Sequence, residues 1–400
     1  MTGPQYEYPS GAFGAFGAFG GQGAFGGQGA FGAFGGQGAF GAFGAFGAFG
    51  SQETVAGAVP LMTNRDGIVG APLDLKSAVA AGRFNDTANL ARLSRDVRAS
   101  LWMSELGTRV AMTASPAGSG KAVLWRVDHG RGKPELENLV TMTAPSMKQF
   151  QIQMRWVSGY ADIRPDRAAE ILDQVASPVP FYATIGFMDP ARTPYTLELL
   201  AVALRFANYV EMQMKYILAV KRPVELSPQI QPIIPTPTHG SLPSGHATEA
   251  FTLARLIWKL LLASKVKRYA EGAYWGTMLM RTAARIAENR TVAGVHYPVD
   301  SEAGAFLGLN IAEFIAQQCG ATKGNWTSGE FTGGRFDAEA DFDWNGLYRP
   351  QRDHLHDRSK LPAWIKVEHH GKAKASSAPL KWLWEKAVSE WEDLPADSGV

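Results

Sequence analysis

The sequence predicts an all-α fold, a helical bundle, preceded by a disordered glycine-rich tail. Three observations carry this reading. Apolar residues recur at helical spacing through long stretches bounded by capping residues or proline. Strand signals are sparse. Residues Gly11 to Gly50 consist almost entirely of Gly-Ala-Phe and Gly-Gly-Gln units, with neither charge nor a helical or strand period.

So much glycine makes ordering entropically costly, so residues 1–55 read as a flexible tail whose regular phenylalanines could promote self-association. The folded part starts between Ala56 and Ala91, and residues 56–330 are assigned to one helical domain. Its first helix spans Asp86 to Leu106, with Asp86 as N-cap, and a second spans Asp166 to Val175. The clearest runs from Thr193 to Lys221: Thr193 caps it, Pro194 suits the first turn and Pro223 closes it. A proline-rich loop, Pro223 to Pro243, leads to helices over His246–Leu262, Tyr274–Asn289 and Pro298–Gln318. Residues 331–400 read as an irregular C-terminal extension ending in an amphipathic helix, Leu380 to Trp391. Its tryptophans, Trp382, Trp384 and Trp391, are expected to dock on the core.

A net charge of +2 argues against a nucleic-acid binder with a broad basic face. One cysteine, Cys319, excludes an intramolecular disulfide framework and reads as a buried, inert thiol. Met1 to Ser10 has neither the basic patch nor the apolar core of a secretory signal. Charges such as Arg205, Arg255 and Lys259 interrupt the most apolar later runs, which fall short of the roughly 18 to 20 apolar residues of a spanning helix. The expectation is a soluble, cytoplasmic protein without a membrane span, acting on small molecules; a homo-oligomer is left open.

Three segments carry polar residues that a purely structural helix would not need. Lys215 and Arg222 are seven residues apart on one expected helix, and at about 100° per residue their side chains return to the same face. Alone, two such cations could simply snorkel to solvent. Pro243-Ser244-Gly245-His246 stands where a loop enters a helix. Unpaired N–H groups and the positive dipole end there suit an anion; Ser244 adds a hydroxyl, Gly245 a close backbone approach, and His246 a group titrating near neutrality. Read alone, it is an ordinary serine cap. Finally, Arg290 precedes His296, and Asp300 falls in the first turn of the next helix. Asp300 can take the Nδ1 proton of His296, fix its tautomer and leave Nε2 free to attack or ligate.

Together these residues supply three cations, a hydroxyl, backbone donors and two histidines, a set suited to a tetrahedral oxyanion. Their order and spacing resemble the superfamily joining type-2 phosphatidic acid phosphatases, bacterial acid phosphatases and vanadium-dependent haloperoxidases. The match lies at Lys215, Arg222 and Pro223, at Pro243 to His246, and at Arg290, His296 and Asp300. Asn289 departs from the pattern, which usually has serine there. The resemblance implies a helical bundle of the haloperoxidase/acid phosphatase type with its oxyanion site in residues 215–300.

It also implies one of two chemistries. As a haloperoxidase, the protein would use vanadate as cofactor. His296 would be the axial ligand of vanadium, Lys215, Arg222, Ser244, Gly245 and Arg290 would hold the vanadate oxygens, and His246 would assist peroxide binding while bromide or iodide is oxidised. As a phosphomonoesterase it needs no cofactor: His296 would form a phosphohistidine and His246 would protonate the leaving alcohol. The stretch His239 to Thr248 is similar to bromoperoxidases, in which a histidine also precedes the serine by five residues, making His239 a halide-pocket candidate. The block Val295 to Asp300 is closer to the phosphatase form. The haloperoxidase reading is preferred, with the phosphatase as alternative.

Other features are weaker. Ala117 to Lys121 has the wrong spacing for a phosphate loop. His354 and His356 with Asp353 and Asp357, and the pair His369-His370, form no complete metal-ligand set. A non-catalytic assembly protein, with the tail as its adhesive part, is the remaining class. Deleting residues 1–50 discriminates: an enzyme keeps its turnover in steady-state assays, and an assembly protein loses its function.

Overall fold

Helix starts in this chain are set by residues that satisfy, or do without, the first backbone N–H groups. Ser94 and Ser146 cap α1 (Arg95–Gly107) and α2 (Met147–Gly159) with their side chains. Proline stands in the first turn of α3 (Arg164–Ala176), α4 (Val179–Gly186) and α5 (Pro194–Leu218). Ser244 caps α6 (Gly245–Ala263). Helix α7 (Tyr274–Val292) follows, then α8 (Pro298–Gln318), which again opens on proline, and lastly α9 (Ala378–Glu392). The computed structural model describes residues 83–392 apart from 116–119, 130–132, 271–272, 323–324, 357–358 and 373–375. The glycine-rich tail and most of the Ala117–Lys121 stretch lie outside the described residues.

Helix α6 is the centre of the core, buried on every side and packed against α5, α7 and α8. Two glycines let α8 lie unusually close to it. A Cβ at Gly304 would stand 2.5 Å from the Ser244 carbonyl oxygen, and one at Gly308 would stand 2.3 Å from that of Thr248. These are backbone atoms of the first turns of α6, so the start of α8 is fixed beside the start of α6. Asp300 thereby comes next to Ser244, whose N–H donates to the Asp300 carbonyl at 2.9 Å.

The all-α expectation is corrected in one respect. The molecule is helix-rich, yet it also carries a five-stranded mixed sheet in the order β1 (Val110–Ala114), β2 (Lys121–Asp128), β3 (Glu135–Thr143), β4 (Asn325–Thr332) and β7 (Ile365–Lys372). Strands β3 and β4 are parallel and the other neighbours antiparallel. A small ribbon pairs β5 (Tyr348–Arg349) with β6 (His354–Leu355). The strands escape local pattern reading for physical reasons. In β3 four successive residues, Leu139 to Met142, are buried, which erases the two-residue alternation. Strands β4 and β7 are polar and exist through pairing with each other and with a strand some 190 positions distant, such as Val140 with Gly329. Phe331 of β4 meets Phe306 of α8, so the sheet backs onto the helix that positions the site.

The helices fall close to the expected spans, with two differences. The stretch expected as one helix from Asp86 is a 3-10 segment, Thr87–Arg92, followed by α1. The run from Thr193 stops at Leu218, because Ala219 turns left-handed (φ 51°). Beyond residue 331 the chain remains part of this core. The Glu390 carboxylate of α9 accepts the N–H groups of Tyr195 and Thr196 at 2.6 and 2.8 Å, capping α5 from outside. Trp391 is fully buried and donates to Thr196 Oγ1 at 3.1 Å. Among the described residues no helix is long and apolar enough to cross a membrane.

Replacing Gly308 by alanine should destabilise the protein by about 1–3 kcal/mol, because the new methyl meets backbone that cannot step aside. Gly107→Ala, where nothing lies within 4 Å, serves as the control. Denaturant unfolding of both variants reads the difference.

Candidate oxyanion site

The site is assembled from the ends of helices rather than from one face of one helix. Because α5 stops at Leu218, Arg222 is not on the same helix as Lys215, which corrects the spacing argument. Arg222 stands instead just before a single helical turn, Pro223–Leu226, and its N–H donates to Glu225 Oε2 at 2.6 Å. Lys215 is 1% exposed and its Nζ donates to the carbonyl oxygens of Gly240, Ser241 and Pro243. It therefore clamps the loop entering α6 and places a positive charge behind that helix start.

The end of that loop and the first turn of α6 form one wall. Ser244 Oγ accepts from the Ala247 N–H at 3.4 Å, so this hydroxyl acts as a helix cap. His246, in the same turn, faces a cavity of ≈130 Å³, and its Nε2 is buried without a partner among the described residues. Arg290, near the end of α7, lines the same cavity. Its Nη2 donates to Gln174 Oε1 at 2.7 Å, while Nε and Nη1 are buried and unpartnered. Asn289, the departure from the family pattern, also donates to Gln174 Oε1, at 3.0 Å, and accepts from Arg167 at 2.8 Å. It thus helps to hold the glutamine that aims Arg290.

His296 closes the site. Its Nδ1 lies 3.0 Å from Asp300 Oδ2, which also accepts the Tyr297 N–H at 3.0 Å and the Ser241 hydroxyl. With Nδ1 donating to this carboxylate, Nε2 carries the lone pair. The sequence led us to expect that lone pair to be free; instead Arg222 Nη1 donates to it at 2.9 Å and to the Val295 carbonyl at 2.7 Å. Arg222 Nη2 also lies 3.1 Å from His239 Nδ1. The structure therefore gathers Arg222, His239, Gly245, His246, Arg290 and His296 around the cavity, while Lys215, Ser244 and Asp300 support its walls from behind.

Burial and like charge dominate the electrostatics. Desolvation, reinforced by neighbouring cations, pushes His246 and His296 well below the ordinary histidine range, so both rings are neutral. Desolvation also lowers Arg222 and Arg290 to about 10, and with Arg222 alongside it lowers Lys215. Burial raises Asp300 to about 6, opposed by its hydrogen bonds from Ser241 and Tyr297 and by Arg222 and Lys215. Every cation here is held against its preference, and an anion in the cavity would relieve that.

Three supporting residues were not anticipated. Ser241 lies inside the conspicuous His239–Thr248 stretch and could have been noticed there. Glu211, one turn before Lys215 on a mostly apolar helix, lines the cavity and was visible as an odd buried charge. Gln174 carries no signal in the sequence; only the packing of α3 against α7 brings it to Arg290. The weaker features are structural. Asp353 pairs with Arg255 and Lys259, His356 accepts from Arg349 at 2.8 Å, and His370 stacks on Trp326. Asp357 lies outside the described residues, and no metal-ligating cluster occurs among those described. Cys319 is fully buried, and burial pushes its thiol pKa far up.

An anion should reverse the histidine electrostatics. In the anion-free protein, NMR of the His246 ring should show it neutral throughout the range where an ordinary histidine titrates, about pH 6.5. Saturating inorganic phosphate should move its protonation to higher pH.

Comparison with known proteins agrees with this geometry. A model of the PAP2 superfamily matches residues 196–322. That superfamily includes both phosphatases and vanadium-dependent haloperoxidases. A search of curated proteins found no match to the chain. Every charged or titratable group lining the cavity falls within the segment that matches the PAP2 superfamily model.

Proposed function

We propose that the protein is a vanadate-dependent haloperoxidase that oxidises bromide or iodide with hydrogen peroxide. The observation that carries this choice is His239, the residue shared with bromoperoxidases, which stands in the cavity wall with Nδ1 3.1 Å from Arg222. The donor set suits vanadate: Arg290 Nε and Nη1 and His246 Nε2 are buried, unpartnered and borne by cavity-lining residues. Arg222, Arg290 and the first-turn amides of α6 would hold its oxygens, Lys215 would add charge from behind, and His296 Nε2 would bind the metal. Bound there, vanadate supplies a Lewis-acidic centre for activating peroxide toward two-electron halide oxidation.

The remaining steps belong to the chain. Asp300 and Ser241 keep the proton of His296 on Nδ1, so Nε2 faces the cavity as a base. Arg222 exchanges its bond to that nitrogen for one to an anion oxygen. His246, neutral without an anion, gains a proton as negative charge arrives and can pass it to a departing oxygen. Leu172, Val175, Ile234, Pro235 and Pro237 line the rest of the cavity with apolar surface.

That apolar lining also favours a second reading, a phosphomonoesterase acting on an apolar alcohol. His296 Nε2 would then form a bond to phosphorus as the ester P–O bond breaks, and His246 would protonate the leaving alkoxide; water would later cleave the phosphohistidine. Parallel assays separate the two. Vanadate-loaded protein is followed for bromide and iodide oxidation, and vanadate-free protein for p-nitrophenyl phosphate hydrolysis. The proposal expects vanadate-dependent halide oxidation that falls at least about 10³-fold in His296→Ala. Brisk phosphate release inhibited by vanadate, with only trace halide oxidation, would establish the phosphatase instead.

A further inference from the structure

Glu211 is a buried carboxyl in an anion site, where a negative charge should be out of place. It is 1% exposed, sits on α5 one turn before Lys215 and lines the cavity with Arg222, His246, Glu249, Arg290 and His296. Among the described residues its Oε1 receives only a long contact from Asn208 Nδ2 at 3.5 Å, and its Oε2 is buried without a partner. The same carboxyl explains Gly245 in a way the sequence did not suggest. A Cβ at Gly245 would stand 2.5 Å from Glu211 Oε1, so the space a side chain would take over the first turn of α6 is already filled by this carboxyl.

We infer that Glu211 is a working residue of the oxyanion site, a carboxyl that is protonated when the anion is bound and donates from Oε2 to an anion oxygen. The inference rests on the oxyanion reading above and applies to vanadate and phosphate alike. Charge supports it. Three cations, Lys215, Arg222 and Arg290, stand with three buried carboxyls, Glu211, Glu249 and Asp300, so with every carboxyl ionised little net attraction for an anion would remain. A carboxylate at Oε2 would also repel the anion, whereas a carboxylic acid there is a donor. Burial already pushes Glu211 up to about 7 against the pull of Lys215 and Arg222, and an arriving dianion pushes the same way. The other groups facing it are His246 and Glu249 from α6, Arg290 from α7, and His239 and His296 from the loops.

The test uses tungstate, a tetrahedral dianion that does not itself protonate near neutral pH. Calorimetric titration of the full chain in two buffers of different ionisation enthalpy reads the protons taken up on binding. At about pH 8 the wild type should take up more protons than Glu211→Gln, whose amide donates without needing one. Wild-type affinity should fall more steeply as pH rises, by up to about tenfold per pH unit relative to the variant, by proton linkage. Equal proton uptake with parallel pH profiles would overturn the inference. So would a variant that binds tungstate more tightly by the same factor at every pH, which is the mark of a carboxylate that stays ionised and repels the anion. Failure of the wild type to bind tungstate at all would instead remove the oxyanion site itself, and the inference with it. Should Glu211→Gln not fold, ¹³C NMR of the wild-type glutamate carboxyls, assigned with Glu211→Asp, gives the same answer. Tungstate should keep the Glu211 carboxyl protonated to higher pH, and an unmoved titration would overturn the inference.

Discussion

One carboxylate joins the parts on which the site depends. Asp300 sits in the first turn of α8 and through Oδ2 accepts hydrogen bonds from His296 Nδ1–H, the Tyr297 N–H and the Ser241 hydroxyl. Its backbone carbonyl accepts the N–H of Ser244, the cap of α6. The helix starts of α6 and α8 and the loop between α5 and α6 are therefore fixed by a single side chain and its own backbone. Gly304 and Gly308 allow this, because α8 could not otherwise lie so close to α6. The imidazole tautomer, the loop held by Lys215 and the anion-facing turn of α6 all follow from that geometry.

Around this anchor the protein concentrates cations in a place with little water. Burying them is costly unless an opposite charge completes the set. The unpartnered atoms gather: Arg290 Nε and Nη1, His246 Nε2 and Glu211 Oε2 are borne by residues that share one cavity, whereas Arg222 is engaged with His296, His239 and Val295. An anion entering here meets one arginine ready and another that must trade a neutral partner for a charged one. Both histidines are neutral until it arrives, so binding and protonation are coupled. Under the proposed function the same coupling would serve a vanadate cofactor, and under the second reading a phosphoester.

Much of the site was legible in the sequence because its chemistry demands particular residues at the ends of helices. Proline at 298, serine at 244 and the His296–Asp300 interval announce a helix start with a polar purpose, and the structure brings these residues together. What spacing could not give was the break at Ala219. Nothing in the Lys215–Arg222 interval shows a left-handed residue, so two cations that look like one helix face in fact arrive from a helix and a loop. Gln174 and the sheet were hidden for a shared reason. Each owes its position to partners far along the chain, as in the pairing of Val140 with Gly329 and the contact of Gln174 with Arg290. Gly245 was visible as a close-approach residue, but not that the space it leaves faces the Glu211 carboxyl.

The central claim is that these groups bind one tetrahedral oxyanion at one place. A crystal of the full chain grown with tungstate, with the metal located by anomalous scattering, tests it most directly. The account predicts a single strong peak inside the cavity, with oxygens bonded to Arg290 Nε and Nη1 and to the first-turn amides of α6, and with Arg222 turned from His296 toward the anion. A peak on the outer surface, or a cavity without tungsten under saturating conditions, would contradict it.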